Sequence, residues 1–427
     1  MDNVTLARAT MGTSLGFHIV FAVLGVGLPA LLVAAEGLWL RTGDEIWLGL
    51  ARRWSRAFAI LFAVGAVSGT VLSFELGLLW PRFMAFSGGI IGLPFSAEGF
   101  AFFTEAIFLG LYLYGWNRLT PFRHWLTGIP IALSGAASSV FVVMANAWMN
   151  SPVGFHLDAA GHLQSVDPLA AALNPSTPTE DPHMLVSAYV VTGFLVAAVY
   201  AAGLLRGRVD AHHRRGLAAG MVMATAAILL AGITGDTSAR FVYQNQPAKF
   251  ASMEGLYKTQ RGAPIHIGGI PLDSQHRVVF AIEIPYGLSL LAAFDPNAEV
   301  VGLDSFPADA RPNPILVHLS FDTMVGLGIL LGLGSLLFWL VWWRRRTLPR
   351  LLLWALVAAG PAAVVAMEAG WFVTEFGRQP WIVYGILRTS EASTSAPALG
   401  ATFAIFLLIY CVLALTTARL LLNRRHE

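Results

Sequence analysis

Nine hydrophobic runs, each long enough to cross a bilayer, constrain this chain more than any other feature. They cover about Leu15–Ala35, Ala57–Gly77, Glu98–Trp116, Trp125–Met149, His183–Leu205, Gly216–Thr234, Ile315–Trp342, Leu351–Phe372 and Leu399–Leu421. A helix rising 1.5 Å per residue needs about 20 apolar residues to cross roughly 30 Å of hydrocarbon. Lipid offers no partner to a free backbone N–H or C=O, so such runs must be helices. The expected fold is an all-α integral membrane protein with about nine transmembrane helices. Of the 427 residues 56% are hydrophobic and 12% charged, which excludes a soluble globular domain. A net charge of +2 with scattered basic residues excludes a nucleic-acid binder. The first run carries His18 and lacks a basic start, so it reads as a retained span, not a signal peptide. The one cysteine, Cys411, excludes an intrachain disulfide.

The arginines order the spans. Arg41, Arg52, Arg53 and Arg56 lie between the first and second runs, Arg118 and Arg123 between the third and fourth, and Arg206, Arg208, Arg214 and Arg215 between the fifth and sixth. Arg344, Arg345, Arg346 and Arg350 separate the seventh and eighth, and Arg424 and Arg425 close the chain. Every second loop is basic, which places the N-terminus outside and the C-terminus in the cytoplasm. The loops on the outer side are long: Asn150–Pro182, and above all Gly235–Pro314, which holds the only two lysines, Lys249 and Lys258. Loops of that length are usually functional. The expected organisation is one membrane domain, 1–427, with an extracytoplasmic functional region at 235–314.

Residues able to carry chemistry collect at the outer ends of the runs. His18, His183, Met324 and Glu375 are potential metal ligands. Imidazole and thioether suit the axial positions of a low-spin haem, whereas a carboxylate suits a high-spin iron with an open position. Each has a plainer reading, a hydrogen-bonded packing histidine or a core methionine, and no two make a short metal motif. Glu98 and Glu105 are seven apart and share a helix face, as do Glu368 and Glu375. Intramembrane acids on one face suggest a proton relay or a haem environment, while Glu75 and Glu98 could also be helix-end residues reaching for the interface.

The stretch Gly370–Trp381, with its core Glu375-Phe376-Gly377-Arg378-Gln379-Pro380-Trp381, resembles a signature of subunit I of the cytochrome bd-type terminal oxidases. The resemblance runs through the chain in order. It includes His18 in Gly-Phe-His, the stretch Glu98 to Glu105, Ala145-Asn146-Ala147-Trp148-Met149, His183, Gly235-Asp236, Gln246-Pro247-Ala248-Lys249 with Glu254, Ile284-Pro285-Tyr286 and Met324-Val325-Gly326. It implies a quinol:oxygen oxidoreductase of the bacterial-type cell membrane that reduces O2 to water and builds a proton gradient by vectorial chemistry without pumping. Three haems are implied: a low-spin haem b on His183 and Met324, a high-spin haem b, and a haem d or further haem b. His18 and Glu375 would each ligate one of the two high-spin irons. Arg378 and Trp371 would contact haem propionates or rings, Glu98 and Glu105 would carry protons, and Lys249 and Glu254 would belong to the quinol site. The implied partners are a second membrane subunit and small single-span subunits.

Three departures from the family pattern stand out. The family usually has an arginine two positions before the Met ligand, where this chain has Asp322; an ionised Asp322 is expected to lower the haem potential. The outer loop lacks a long polar second half. The interval from Glu98 to Glu105 is one residue short, so either Glu98 is turned by about 100° on its helix or the helix start is remodelled. The first two departures motivate an alternative, electrons taken from a cytochrome c. A reading from another class, a haem-poor transporter or assembly protein on the same scaffold, conflicts with the presence of all four ligands.

Overall fold

A computed structural model describes residues 2–159, 161, 163–345 and 347–423. Arg346, Arg424 and Arg425, counted above among the basic positions, lie outside the described residues. The helices are α1 (Asn3–Thr42), α2 (Glu45–Leu79), α3 (Pro81–Gly115), α4 (Pro121–Asn150), α5 (Pro168–Ala172), α6 (Thr177–Leu205), α7 (Ala211–Asn245), α8 (Pro247–Glu254), α9 (Gly287–Ala293), α10 (Pro314–Arg344), α11 (Arg350–Arg378), α12 (Thr389–Ala392) and α13 (Leu399–Asn423). Among the described residues, nine are long and apolar enough to cross a membrane: α1, α2, α3, α4, α6, α7, α10, α11 and α13.

The helices start and stop where their caps dictate. Asp2, Asp44, Asp210 and Asn313 each accept a hydrogen bond from a first-turn N–H, of Thr5, Ile46, His213 and Leu316 respectively. Each such cap is worth about 1 kcal/mol. Gly43, at φ 69°, ends α1 in the left-handed conformation and lets the chain reverse within two residues.

Without a hydrophobic drive between helices in lipid, close packing needs small residues at the contacts. A β-carbon on Gly27 of α1 would fall 2.1 Å from Thr192 Oγ1 of α6, and one on Gly193 of α6 would fall 2.5 Å from the Ala224 backbone N of α7. Gly360 of α11 meets Ala198 of α6 in the same way. α6 thus lies at the centre, its most apolar window 61% buried, against 11% for α13.

The arginine-rich ends share one side of the bundle. Arg215 is bonded to Asp44, Arg52 lies over Trp116 at 5.2 Å and Arg214 over Trp342 at 5.2 Å. At the opposite end the chain between α8 and α10 forms short antiparallel ladders. Ile265–Ile267 pairs with Ile282–Ile284, and Ile270–Leu272 with Arg277–Val279.

Several helix limits differ from the sequence expectation. α7 continues to Asn245, so the first residues of the 235–314 region are helical, because charged and polar residues continue a helix beyond the lipid. α3 begins at Pro81, not Glu98, and His183 lies in the second turn of α6 instead of leading it. Glu98 is therefore mid-helix. Glu75 is 1% exposed and accepts from Ser14 Oγ at 2.7 Å, so it does not reach for the interface.

Candidate functional site

His18 of α1 and His183 of α6 are held alike. His18 Nδ1 is 2.9 Å from Ser68 Oγ of α2, and His183 Nδ1 is 3.0 Å from Thr234 Oγ1 of α7. Each hydroxyl already donates its one proton along its own helix, Ser68 to Val64 O at 2.9 Å and Thr234 to Leu230 O at 3.1 Å. With its proton donated along the helix each hydroxyl accepts from the histidine, an arrangement with the ring proton on Nδ1 and the Nε2 lone pair free. The next residue in each case is a glycine against the ring. A β-carbon on Gly69 would be 3.0 Å from His18 Cε1, and one on Gly235 would be 3.3 Å from His183 Cε1. A hydroxyl followed by glycine, fifty residues away from its histidine, is a signal the sequence reading passed over.

Met324 of α10 reaches α11 at Gly370, where a β-carbon would be 2.9 Å from Sδ. Trp371 follows at once in α11 and packs partly buried against the main core. One turn on, Glu375 accepts from Asn146 Nδ2 of α4 at 2.7 Å and from Arg378 Nη2 at 2.6 Å. Asn146 belongs to a stretch quoted for its resemblance, yet its tie to Glu375 appears only in three dimensions.

Arg378 is 1% exposed, and its Nε and Nη1 are buried without a hydrogen-bond partner among the described residues. Lys249 of α8 lies against the same helix; its methylenes fill the space beside Gly377, 2.7 Å from a β-carbon built there. Burial lowers the Lys249 ammonium to about 8, helped by Arg378 and opposed by the carboxylates of Glu180 and Glu375. Glu254, at the end of α8, is raised to about 8, first by burial and then by Asp322. Asp322 Oδ2 lies 3.5 Å from His318 Nε2, one turn earlier, and is buried without a hydrogen-bond partner among the described residues.

Glu98 Oε1 accepts from Ser138 Oγ of α4 at 3.1 Å, and Glu105 is 5% exposed with Oε1 unpartnered, facing Gly135 of the same helix. The two acids do line one side of α3 against α4. Among the described residues no three His, Cys, Asp or Glu side chains converge as a metal cage. Single axial ligands separated by tens of residues suit irons carried in porphyrins. The residues fit such groups: the imidazoles of His18 and His183 and the thioether of Met324 as axial ligands, and the Arg378 guanidinium, whose Nε and Nη1 have no partner among the described residues, for a propionate.

The description of cytochrome bd terminal oxidase subunit I matches residues 6–426. The chain belongs to that family. The solved structure of bd oxidase from Geobacillus thermodenitrificans superposes with a TM-score of 0.95 at 40% identity, covering 100% of this chain and 99% of that one. A Bacillus subtilis (strain 168) protein, named provisionally as a cytochrome bd menaquinol oxidase subunit I, is 38% identical over 100% of this chain and 98% of its own length. Cytochrome bd-II ubiquinol oxidase subunit 1 of Escherichia coli (strain K12) is 30% identical over 92% of this chain and 90% of its own. The cytochrome bd subunit I assignment makes the chain a haem-dependent terminal oxidase subunit and a multi-pass protein of the bacterial cell membrane.

Proposed function

We propose that this subunit carries three haems and catalyses quinol:oxygen oxidoreduction, with 1–427 as one membrane domain and 235–314 as its outer quinol region. The observation that supports this most directly is the matched presentation of His18 and His183, each with Nδ1 within hydrogen-bond distance of a hydroxyl on the neighbouring helix. His183 and Met324 hold the low-spin haem b. His18 and Glu375 each serve one high-spin iron, one in a haem b and the other in a haem d or further haem b. Bound haem supplies one-electron transfer and, at the high-spin iron, oxygen reduction.

The side chains do the rest. Arg378 binds a propionate and, together with Asn146, orients Glu375, while Trp371 packs along a ring; Lys249, with Glu254, belongs to the quinol site. Glu254, raised to about 8, accepts a proton from quinol at the outer face. Glu105 and Glu98 pass protons from the arginine-rich side, taken as cytoplasmic with both termini placed as the arginine pattern predicts. Electrons and protons thus meet from opposite sides, each charge worth about 2.3 kcal/mol per 100 mV, without a pump. A second membrane subunit, with small single-span subunits, completes the complex.

Oxygen uptake by the purified complex with a quinol and with reduced cytochrome c tests the donor. Uptake with quinol alone is expected; uptake with cytochrome c alone would replace the donor.

A further inference from the structure

His318 is fully buried at the start of α10 and is bonded on both sides. Its Nδ1 is 2.7 Å from Met253 O, near the end of α8, and its Nε2 is 3.2 Å from Gly268 O, in the turn between the strands Ile265–Ile267 and Ile270–Leu272. Asp322 Oδ2 lies 3.5 Å from the same Nε2. Carbonyl oxygens only accept, so each contact is made by a ring N–H: the neutral ring donates from Nδ1 to the nearer Met253 O, and the imidazolium donates to Gly268 O as well. Gly255 also lies against the ring, with His318 Nδ1 3.7 Å from a β-carbon built there and Val278 Cγ2 crowding the same position. Glu254 is the residue after Met253; His266 Nδ1 donates to Glu254 O at 2.8 Å, and His266 Nε2 is 3.7 Å from Glu283 Oε1.

We infer that His318 is the positioning residue of the electron-donating site. It ties α8, which carries Lys249 and Glu254, and the adjoining ladder to the helix that carries Met324 six residues further on. An outer loop hung on α10 by this ring keeps the quinol-side groups at a fixed distance from the Met324 thioether. A ring with two opposed nitrogens does this in one residue, whereas an aliphatic core residue would offer neither carbonyl a partner. The inference rests on the reading of 235–314 as the quinol region.

Two amide substitutions in the assembled complex separate the bonds. In His318→Gln the side-chain amide reaches the Nε2 position and loses Met253; in His318→Asn it reaches the Nδ1 position and keeps it. For His318→Gln we expect amide hydrogen exchange of residues 248–254 to quicken about tenfold, as loss of ~1.4 kcal/mol predicts. The quinol KM should rise by a similar factor, while oxygen uptake with reduced tetramethyl-p-phenylenediamine stays near wild type. His318→Asn should restore both exchange and KM. Unchanged exchange and KM in His318→Gln, quickened exchange in His318→Asn, or an equal fall of both oxygen-uptake activities would overturn the assignment. A wild-type complex that oxidises no quinol would instead contradict the donor reading, and the exchange data would still decide the role of His318.

Discussion

Arg378 donates from Nη2 to Glu375 Oε2 at 2.6 Å, and this single bond leaves its Nε and Nη1 buried without partners. A guanidinium so placed is matched to a second anion, and a haem propionate supplies one. Replacing it removes one or more charge-assisted hydrogen bonds, each about 1.5–3 kcal/mol. Arg378→Leu should therefore release a high-spin haem roughly tenfold to a hundredfold faster, measured by transfer to apomyoglobin. Unaltered release would remove Arg378 from the haem site.

The hydroxyls behind the histidines make a paired prediction. Removing a partner that orients a metal-bound imidazole typically weakens the metal site by about 10–100-fold. Ser68→Ala should disturb only a high-spin spectrum and Thr234→Val only the low-spin one, read in reduced-minus-oxidised difference spectra. The same change from both variants would show that the two histidines do not serve different haems.

Gly370 is the only residue type that leaves Met324 Sδ its place, since a β-carbon there would be 2.9 Å away. Gly370→Ala should push the thioether off, converting part of the low-spin signal to high-spin and slowing electron entry. A normal low-spin spectrum in this variant would mean that the sulfur is not a ligand.

These relationships show what the sequence made readable. The nine spans and the grouping of arginines at one end followed from hydrophobic length and charge alone, and His18, His183, Met324 and Glu375 from their rarity in such runs and from the resemblance. Helix ends were harder, because α3 runs in lipid-like sequence from Pro81 past Pro94 and α7 runs on through Asp236 and Arg240. Ser68, Thr234 and Asn146 are ordinary residues whose value depends on a neighbour 50, 51 or 229 positions away. His318 was missed for the same reason, since its bonds go to backbone carbonyls of another segment.

Glu254 gives the pH dependence a sign. Its ionisation lies at about 8, above the ordinary carboxylate range, so the accepting carboxylate grows as pH rises through that window. Quinol oxidation should climb about tenfold per pH unit on the acid side and level off above about 8. The stability contribution runs the other way: burying the neutral acid costs least at low pH, and the fold loses stability as pH rises through the same window. Glu254→Gln should abolish the pH-dependent rise and be relatively more stable at high pH. Lys249 loses its charge in the same range, and Lys249→Met identifies its share. A pH profile unchanged by Glu254→Gln would exclude it as the acceptor.

In the proposed three-haem oxidase, His183 and Met324 hold the low-spin haem. Pyridine-haemochrome and reduced-minus-oxidised spectra of purified wild-type and His183→Ala complexes test this directly. Three haems per copy of this chain in the wild type, with selective loss of the low-spin b signal and of quinol-dependent oxygen uptake in the variant, is the expected result. A wild type with fewer than two haems and no oxygen uptake, or a His183→Ala complex with its low-spin signal intact, would contradict it.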